Sequence, residues 1–247
     1  MPFTELPYDL RSLLIAEDVS GDDMFDRFLL RPNEKEITAR LLKVYNAASK
    51  LAEHGIRYIP SLMLHGESGC GKTMLARYIA HQAHLPFVYV RFSNLVESYL
   101  GKTQSNIAKI FDYARQTPCV LCFDEIDAIG IKRGDGHDVS EMSRVVIALM
   151  QEIDRLPNSI IMVGTTNRFD RLDPALVRRF TLSYEVLSLD SDEIQKVIRL
   201  FFNSVGIQCD SWINNFILEN FPENTPAAKV INICTEKAVS LLVSSVP

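Results

Sequence analysis

The stretch Leu62-Met-Leu-His-Gly-Glu-Ser-Gly-Cys-Gly-Lys-Thr73 decides the fold of this chain. Its apolar, strand-like start leads into the pattern G-x-x-x-x-G-K-[ST] over residues 66–73, and a helical pattern over residues 74–81 follows. Glycines in such a turn let backbone N–H groups point inward around phosphate oxygens, and the start of the helix adds a favourable dipole. The order of strand, loop and helix therefore predicts a phosphate-binding loop of the Walker A type.

Each chemical group of this loop has a predicted role. The ammonium of Lys72 supplies a positive charge to the β- and γ-phosphates of ATP, and the hydroxyl of Thr73 is a ligand for Mg²⁺. We expect the nucleotide to contact the loop and the first helical residues, namely Gly66, Glu67, Ser68, Gly69, Cys70, Gly71, Lys72, Thr73 and Met74.

A second apolar run, Leu121-Cys-Phe, ends in Asp124, Glu125 and Asp127. A carboxylate at the end of a buried strand is costly unless it meets a cation or hydrogen-bond donors. Mg²⁺ beside the Walker A loop is the expected partner, so Asp124 joins Thr73 as a predicted metal residue. Glu125 is placed to polarise an attacking water. Together these residues predict a Walker B site for ATP hydrolysis.

The order of apolar runs predicts the fold class. Four runs rich in Val, Ile, Leu and Phe occupy residues 61–65, 87–92, 119–123 and 160–164, and a weaker run occupies residues 182–186. Helical patterns separate them, which indicates an α/β fold with a parallel sheet flanked by helices. After Leu189 only helical patterns follow. We therefore expect a lead-in or docking arm over residues 1–31, an α/β subdomain over 32–188 and a helical lid over 189–247.

Composition narrows the function classes. The net charge of −5 gives no reason to expect nucleic-acid binding, and no apolar stretch is long enough for a membrane span. Cys119 and Cys122 form a C-x-x-C, which would fit redox chemistry or half of a zinc site, but their apolar, strand-like surroundings favour a place in the core. The odd cysteine count fits a reducing compartment, so we expect a cytoplasmic protein.

Three segments resemble the AAA family of AAA+ ATPases. They are Asp124-Glu-Ile-Asp127, Gly164-Thr-Thr-Asn-Arg168, which resembles the sensor-1 motif, and Leu172-Asp-Pro-Ala-Leu-Val-Arg-Arg-Phe180, which resembles the arginine-finger segment. Their order and spacing fit the family from about Pro32 onward. The resemblance implies an ATPase that assembles as a ring, usually a hexamer, with ATP bound between neighbouring subunits.

The resemblance adds three residues to the expected catalytic set, which becomes Glu125, Asn167, Arg178 and Arg179. Asn167 would hold the attacking water or the γ-phosphate. Arg178 and Arg179 would reach the γ-phosphate of the next subunit, where a planar cation stabilises the charge of the transition state. Because the two arginines are adjacent, the sequence leaves open which of them is the finger.

Two loops and one lysine complete the predicted site. Tyr99, Leu100 and Gly101 resemble the pore loop that grips polypeptide in AAA unfoldases, although a Tyr-Leu pair also suits a protein core. The polar stretch 132–140 lies where the family has a second pore loop, and its His137 is expected to be exposed. Lys229 opens the last helix, where it either contacts the γ-phosphate from the lid, as sensor-2 residues do, or is solvated.

The leading functional prediction is a ring-shaped, ATP-driven remodeller that threads or pulls a protein substrate, with Mg²⁺ as the metal. The sequence contains no H-E-x-x-H, so any protease is expected to be a separate partner. The alternative is a nucleotide-controlled assembly switch that regulates a partner protein without threading it. A relative of DNA clamp loaders is a third class, and the acidic charge and the Tyr-Leu-Gly motif argue against it.

Overall fold

The computed structural model of the protein describes residues 6–21, 25–56, 58–91, 95, 100–129 and 139–244, and only the backbone of residues 49, 100, 101, 139–143 and 244. The strands are β1 (Leu14–Glu17), β2 (Ser61–His65), β3 (Phe87–Val90), β4 (Val120–Phe123), β5 (Ile161–Thr166) and β6 (Leu182–Glu185). The helices are α1 (Pro32–Glu53), α2 (Lys72–Ala83), α3 (Leu100–Gln116), α4 (Val139–Ile153), α5 (Pro174–Val177), α6 (Ser191–Ser204), α7 (Ile213–Asn220) and α8 (Ala227–Ser244).

The described strands form one sheet in the order β1-β3-β4-β5-β2-β6. All neighbours are parallel except β1, which runs antiparallel to β3. β4, β5 and β2 are therefore adjacent, and their carboxyl ends lie at the same edge of the sheet. Ligands of open parallel sheets bind at this edge. The predicted fold class, a parallel sheet flanked by helices, is confirmed.

Buried side chains cover the sheet on both faces. On one face, α3 and α4 pack Ile110, Phe111 and Leu149 against the sheet. On the other face, α1 and α2 pack Leu41 and Leu75 against it. Burial on both faces explains why the strands read as continuous apolar runs rather than alternating ones.

The C-x-x-C residues belong to this core. Cys119 lies in the cluster of the α3 and α4 face and Cys122 in the cluster of the α1 and α2 face. Both thiols are fully buried, and burial raises the pKa of Cys119 to about 12. The two side chains are buried on opposite faces of the sheet, so each is a core residue of its own face.

The N-terminal segment differs from the expected lead-in. Residues 14–17 form β1, which extends the sheet at β3, and Leu10, Leu13 and Leu14 are buried. Glu17 also accepts two hydrogen bonds from Arg77 of α2, at 2.6 and 3.0 Å. The sequence of this short segment carries no turn or periodic signal for a strand. Its leucines are buried because they pack with β3 and α3 in one cluster. At least residues 6–21 are thus part of the α/β body.

The lid has its own core. α6, α7 and α8 bury Ile198, Phe202, Ile213 and Val230 between them. Asp190 caps α6 with a capping box that includes Glu193, as its sequence position predicts. Among the described residues, no helix is both long and apolar enough to cross a membrane.

Gly164 makes a close contact that anchors the segment after β5. A Cβ atom at this position would lie 2.8 Å from Phe180 Cζ and 3.2 Å from Met63 Cε. Phe180 is buried, together with Leu172 and Leu176 of the same segment. Because Gly164 has no side chain, the ring of Phe180 fits against β5 and holds residues 172–180 on the sheet.

We predict that Gly164→Ala lowers the free energy of unfolding by about 1–3 kcal/mol, the usual cost of overpacking a core. Urea unfolding monitored by circular dichroism measures the change. Gly21→Ala is the matched control, because a Cβ atom there has nothing within 4 Å. Equal unfolding midpoints for Gly164→Ala and the wild type would contradict the close contact.

Candidate nucleotide site

The Walker A loop has a backbone that only glycine adopts readily. Gly66 has a φ of 135°, and a Cβ atom there would lie 2.2 Å from the carbonyl oxygen of Val186. Gly71 caps the start of α2 with a φ of 105°. These conformations turn the loop tightly between β2 and α2. The predicted order of strand, loop and helix is present.

Lys72 is folded back over this loop. Its Nζ atom donates to the carbonyl oxygens of Gly66 at 2.9 Å and Glu67 at 2.7 Å, and to Asn167 Oδ1 at 2.6 Å. Burial lowers the pKa of Lys72, while nearby Cys70 and Asp124 oppose the change. The ammonium group thus lies where the loop meets the end of β5, which joins Lys72 and Asn167 in one site.

Asp124 lies between the Walker A helix and β5. Thr73 Oγ1 is 3.2 and 3.1 Å from its two carboxylate oxygens, and the hydroxyl of Thr165 also donates to Oδ1. A hydroxyl and a carboxylate so close together are the hard oxygen donors that suit Mg²⁺. Thr73 and Asp124 would hold the ion, which supplies positive charge at the phosphates.

Tyr89 of β3 supports the same carboxylate. Its strand register places it opposite Cys122, two residues before Asp124 on the same face of β4. Burial, and next the negative charge of the nearby Asp124, raise the pKa of Tyr89 to about 12. The phenol therefore stays protonated and able to donate. Nothing in the sequence of β3 singles out this tyrosine, because its role depends on the pairing of β3 with β4.

Glu125 follows Asp124 in a left-handed conformation, with φ 54° and ψ 46°. Its backbone N–H donates to Thr165 Oγ1 at 3.1 Å, and its side chain is exposed. Asp127 accepts a hydrogen bond from Thr166 at 2.7 Å, and Thr166 in turn accepts from the backbone of Arg168 at 2.9 Å. Thr165 and Thr166, at the end of β5, thus connect the turn after β4 to the turn after β5 through hydrogen bonds.

These groups border a cavity of about 540 Å³. Its walls come from the Walker A loop, the strand ends, the segment before α1 and the lid; among them are Arg27, Phe28, Leu29, Arg31 and Glu34 on the N-terminal side and Ala227, Ala228, Ile231 and Asn232 on α8. Sequence reasoning missed both groups. They carry no motif of their own, and only the tertiary fold brings them beside the loop.

Arg31 joins the two subdomains at the cavity wall. Its guanidinium contacts Glu193 Oε1 of α6 at 3.0 Å and donates to the carbonyl oxygen of Ser188 at 3.2 Å. Its backbone N–H donates to Glu34 at 2.9 Å. Burial raises the pKa of Glu34, and the contacts with Arg31 oppose the change. The lid also touches the loop directly, because Ala228 N donates to Gly69 O at 2.9 Å.

The two predicted finger residues have different surroundings. Arg179 is bound within the chain: its Nε and Nη2 atoms donate to Asp154 at 3.2 and 3.0 Å, and Nη1 donates to Ala175 O at 2.8 Å. Arg178 ends α5 and is exposed. Neither arginine is among the described residues that line the cavity.

Some predicted residues lie elsewhere or outside the described part of the chain. Lys229 is exposed on the first turn of α8, whereas its neighbours Ala228 and Asn232 line the cavity, so the contact of Lys229 with a phosphate stays a prediction. Tyr99 and His137 lie outside the described residues, as does most of the stretch 132–140. The backbone of Leu100 and Gly101 begins α3.

The sheet and its site define the class of protein. β2 leads through a glycine loop into α2, whose first residue Lys72 contacts the loop and Asn167 after β5. The acidic end of β4 lies beside the start of α2, where Thr73 contacts Asp124. This arrangement is that of a P-loop nucleoside triphosphatase.

Comparisons with known proteins identify the family. The model of the ATPase family associated with various cellular activities (AAA) matches residues 62–187. An uncharacterised AAA family ATPase, y4kL of Sinorhizobium fredii, is 31% identical over 246 residues, which are 98% of this chain and 71% of that protein. The chain belongs to the AAA family and is an ATPase, so the resemblance seen in its motifs is confirmed.

Longer relatives contain a similar region. The peroxisomal ATPase pex6 of Schizosaccharomyces pombe is 32% identical over 203 residues, which are 78% of this chain and 21% of that protein. The ATP-dependent zinc metalloprotease FtsH of Mesomycoplasma conjunctivae is 33% identical over 214 residues, which are 82% of this chain and 28% of that protein. The chain therefore spans about a fifth to a quarter of these two relatives.

We predict that Lys72→Ala and Glu125→Gln separate binding from hydrolysis. Lys72→Ala should lose tight ATP binding, because the phosphates lose their cation. Glu125→Gln should bind ATP as the wild type does but hydrolyse it at least ~10²-fold more slowly, because the residue that activates water is gone. Fluorescent-nucleotide binding and phosphate release measure the two steps.

Lys43→Ala, which removes an exposed charge from α1, is the control and should change neither step. Wild-type turnover in Glu125→Gln would show that the Walker B assignment is wrong.

Proposed function

We propose that this chain is a subunit of an ATP-driven protein remodeller that works as a homo-oligomeric ring, most simply a hexamer, with Mg²⁺ and ATP bound between neighbouring subunits. The observation that carries the proposal is the position of Arg178. It is exposed and does not line the cavity of its own chain. Because its guanidinium is exposed and its segment is held in place, Arg178 is suited to contact a phosphate bound by a neighbouring subunit.

The surroundings of the two arginines favour Arg178 as the finger. Arg179 is engaged by Asp154 and by the carbonyl oxygen of Ala175, so it holds the segment in place. In this mechanism Lys72 would bind the phosphates, and Thr73 and Asp124 would hold the metal. Glu125 would activate the attacking water, and Asn167 would position it. Arg178 of a neighbouring subunit then stabilises the charge that develops in the transition state.

The substrate is proposed to be a protein, gripped by Tyr99, Leu100 and Gly101. Support comes from the family to which the chain belongs. A separate partner protein would supply the client or a protease. The five cysteines are free and buried, which supports a reducing compartment such as the cytoplasm.

We predict that Arg178→Ala lowers turnover by ~10³-fold or more with unchanged ATP affinity, as loss of an arginine finger does in other P-loop enzymes. Arg179→Ala should mainly reduce stability, by at most ~1 kcal/mol, because its pair with Asp154 is partly exposed. ATPase assays and thermal melts measure the two effects.

Mixing Lys72→Ala with Arg178→Ala subunits is the test of action between subunits. Some interfaces would then combine an intact Walker A loop with an intact Arg178, so activity should return in part. Verified mixed rings that stay inactive would argue against a finger that acts in trans.

We predict that Tyr99→Ala keeps folding and basal ATPase within ~2-fold but abolishes remodelling of a protein substrate. An aromatic ring provides sequence-tolerant contact area, so its loss removes the grip and leaves the nucleotide site intact. A thermal melt beside an ATPase assay tests this. A core position would instead destabilise the fold by ~3 kcal/mol or more, and that result would favour the assembly-switch alternative.

A further inference from the structure

The hydroxyl of Thr165 connects the two Walker B residues. It donates to Asp124 Oδ1 and accepts from the backbone N–H of Glu125 at 3.1 Å. Thr165 lies in β5, the strand next to β4, and it is fully buried. One side-chain oxygen thus contacts both the proposed metal residue and the backbone of the residue proposed to activate water.

The fold itself does not require this hydroxyl. Valine has the same shape, is favoured in strands and would be buried here without a polar atom. A buried hydroxyl is costly unless it is hydrogen-bonded, and here both of its bonds go to Walker B residues. The presence of a hydroxyl at this position is therefore explained by the site rather than by the packing of the sheet.

Glu125 needs such support because its backbone is strained. A residue other than glycine in the left-handed region costs about 1 kcal/mol or more unless its surroundings hold it there. The direction of its Cα–Cβ bond, and hence the aim of its carboxylate, follows from this conformation. The hydrogen bond to Thr165 fixes the N–H of the strained residue against β5.

We propose that Thr165 is a positioning residue for ATP hydrolysis, whose hydroxyl fixes the Asp124 carboxylate and the turn at Glu125 relative to each other. This inference rests on the roles proposed above for Asp124 and Glu125. Thr165 does not touch the nucleotide in this mechanism. It acts by holding two groups whose separation must match the metal and the attacking water.

The first test compares Thr165→Val with Thr165→Ser. Thr165→Val removes the hydroxyl and keeps the shape, and should lower kcat by ~10–100-fold, the usual effect of losing a residue that orients metal-site groups. The KM for ATP should stay within ~3-fold, because the Walker A loop is unchanged. Thr165→Ser keeps the hydroxyl and should restore kcat to within ~3-fold of the wild type.

A binding measurement gives a second readout. Calorimetric titration with ADP, with and without Mg²⁺, should show that Thr165→Val weakens the contribution of Mg²⁺ to affinity by several-fold, with metal-free binding unchanged. Thr38→Val is the matched control. Thr38 has a buried hydroxyl that donates to Glu34 O at 2.7 Å within α1, so its loss should affect thermal stability but not kcat.

The outcomes are distinct. Thr165→Val with wild-type kcat, or Thr165→Ser as slow as Thr165→Val, overturns the positioning role. If Thr165→Val does not fold, Thr165→Ser and Thr165→Ala, which differ only by the hydroxyl, make the same comparison. Glu125→Gln, assayed in parallel, distinguishes failure of the proposed function from failure of the positioning role. If Glu125→Gln keeps its turnover, the proposed function fails. If Glu125→Gln is inactive while Thr165→Val has normal turnover, only the positioning role of Thr165 fails.

Discussion

The carboxylate of Asp124 is the group on which the site depends. It ends a strand buried on both faces, so hydrogen bonds from neighbouring elements must offset the cost of its desolvation. Thr73 on α2 and Thr165 on β5 both donate to it. These donors meet because β5 lies between β4 and β2 in the sheet, so the strand order is what places both hydroxyls at the carboxylate.

The sequence predicted the elements whose signals are contiguous along the chain. The run over residues 61–65 and the glycine loop after it predicted β2 and the Walker A loop, because strand, turn and helix signals there are contiguous. β1 was not predicted, since a four-residue strand at the edge of the sheet depends on β3 for its burial. The cavity wall around Leu29 was missed for the same reason: its role arises from contact with the lid.

The lid and the α/β body meet at the cavity through polar contacts and through Leu29, which packs against the apolar core of the lid. Arg31 binds Glu193 and the carbonyl oxygen of Ser188, and Ala228 binds the carbonyl oxygen of Gly69. Hydrogen bonds and ion pairs of this kind are directional. They let the lid stay a separate unit with its own core while its position remains set by the geometry of the Walker A loop.

The segment from Asn167 to Phe180 is held by contacts along its length. Short-range backbone hydrogen bonds wind it from Arg168 onward, Leu172 and Leu176 anchor it, and Phe180 is held against Gly164 of β5. Asn167 at one end lies at the chain's own cavity, and Arg178 near the other end faces outward. In the proposed ring, these contacts would connect Asn167 at one nucleotide site to Arg178 at the neighbouring site through a single packed segment.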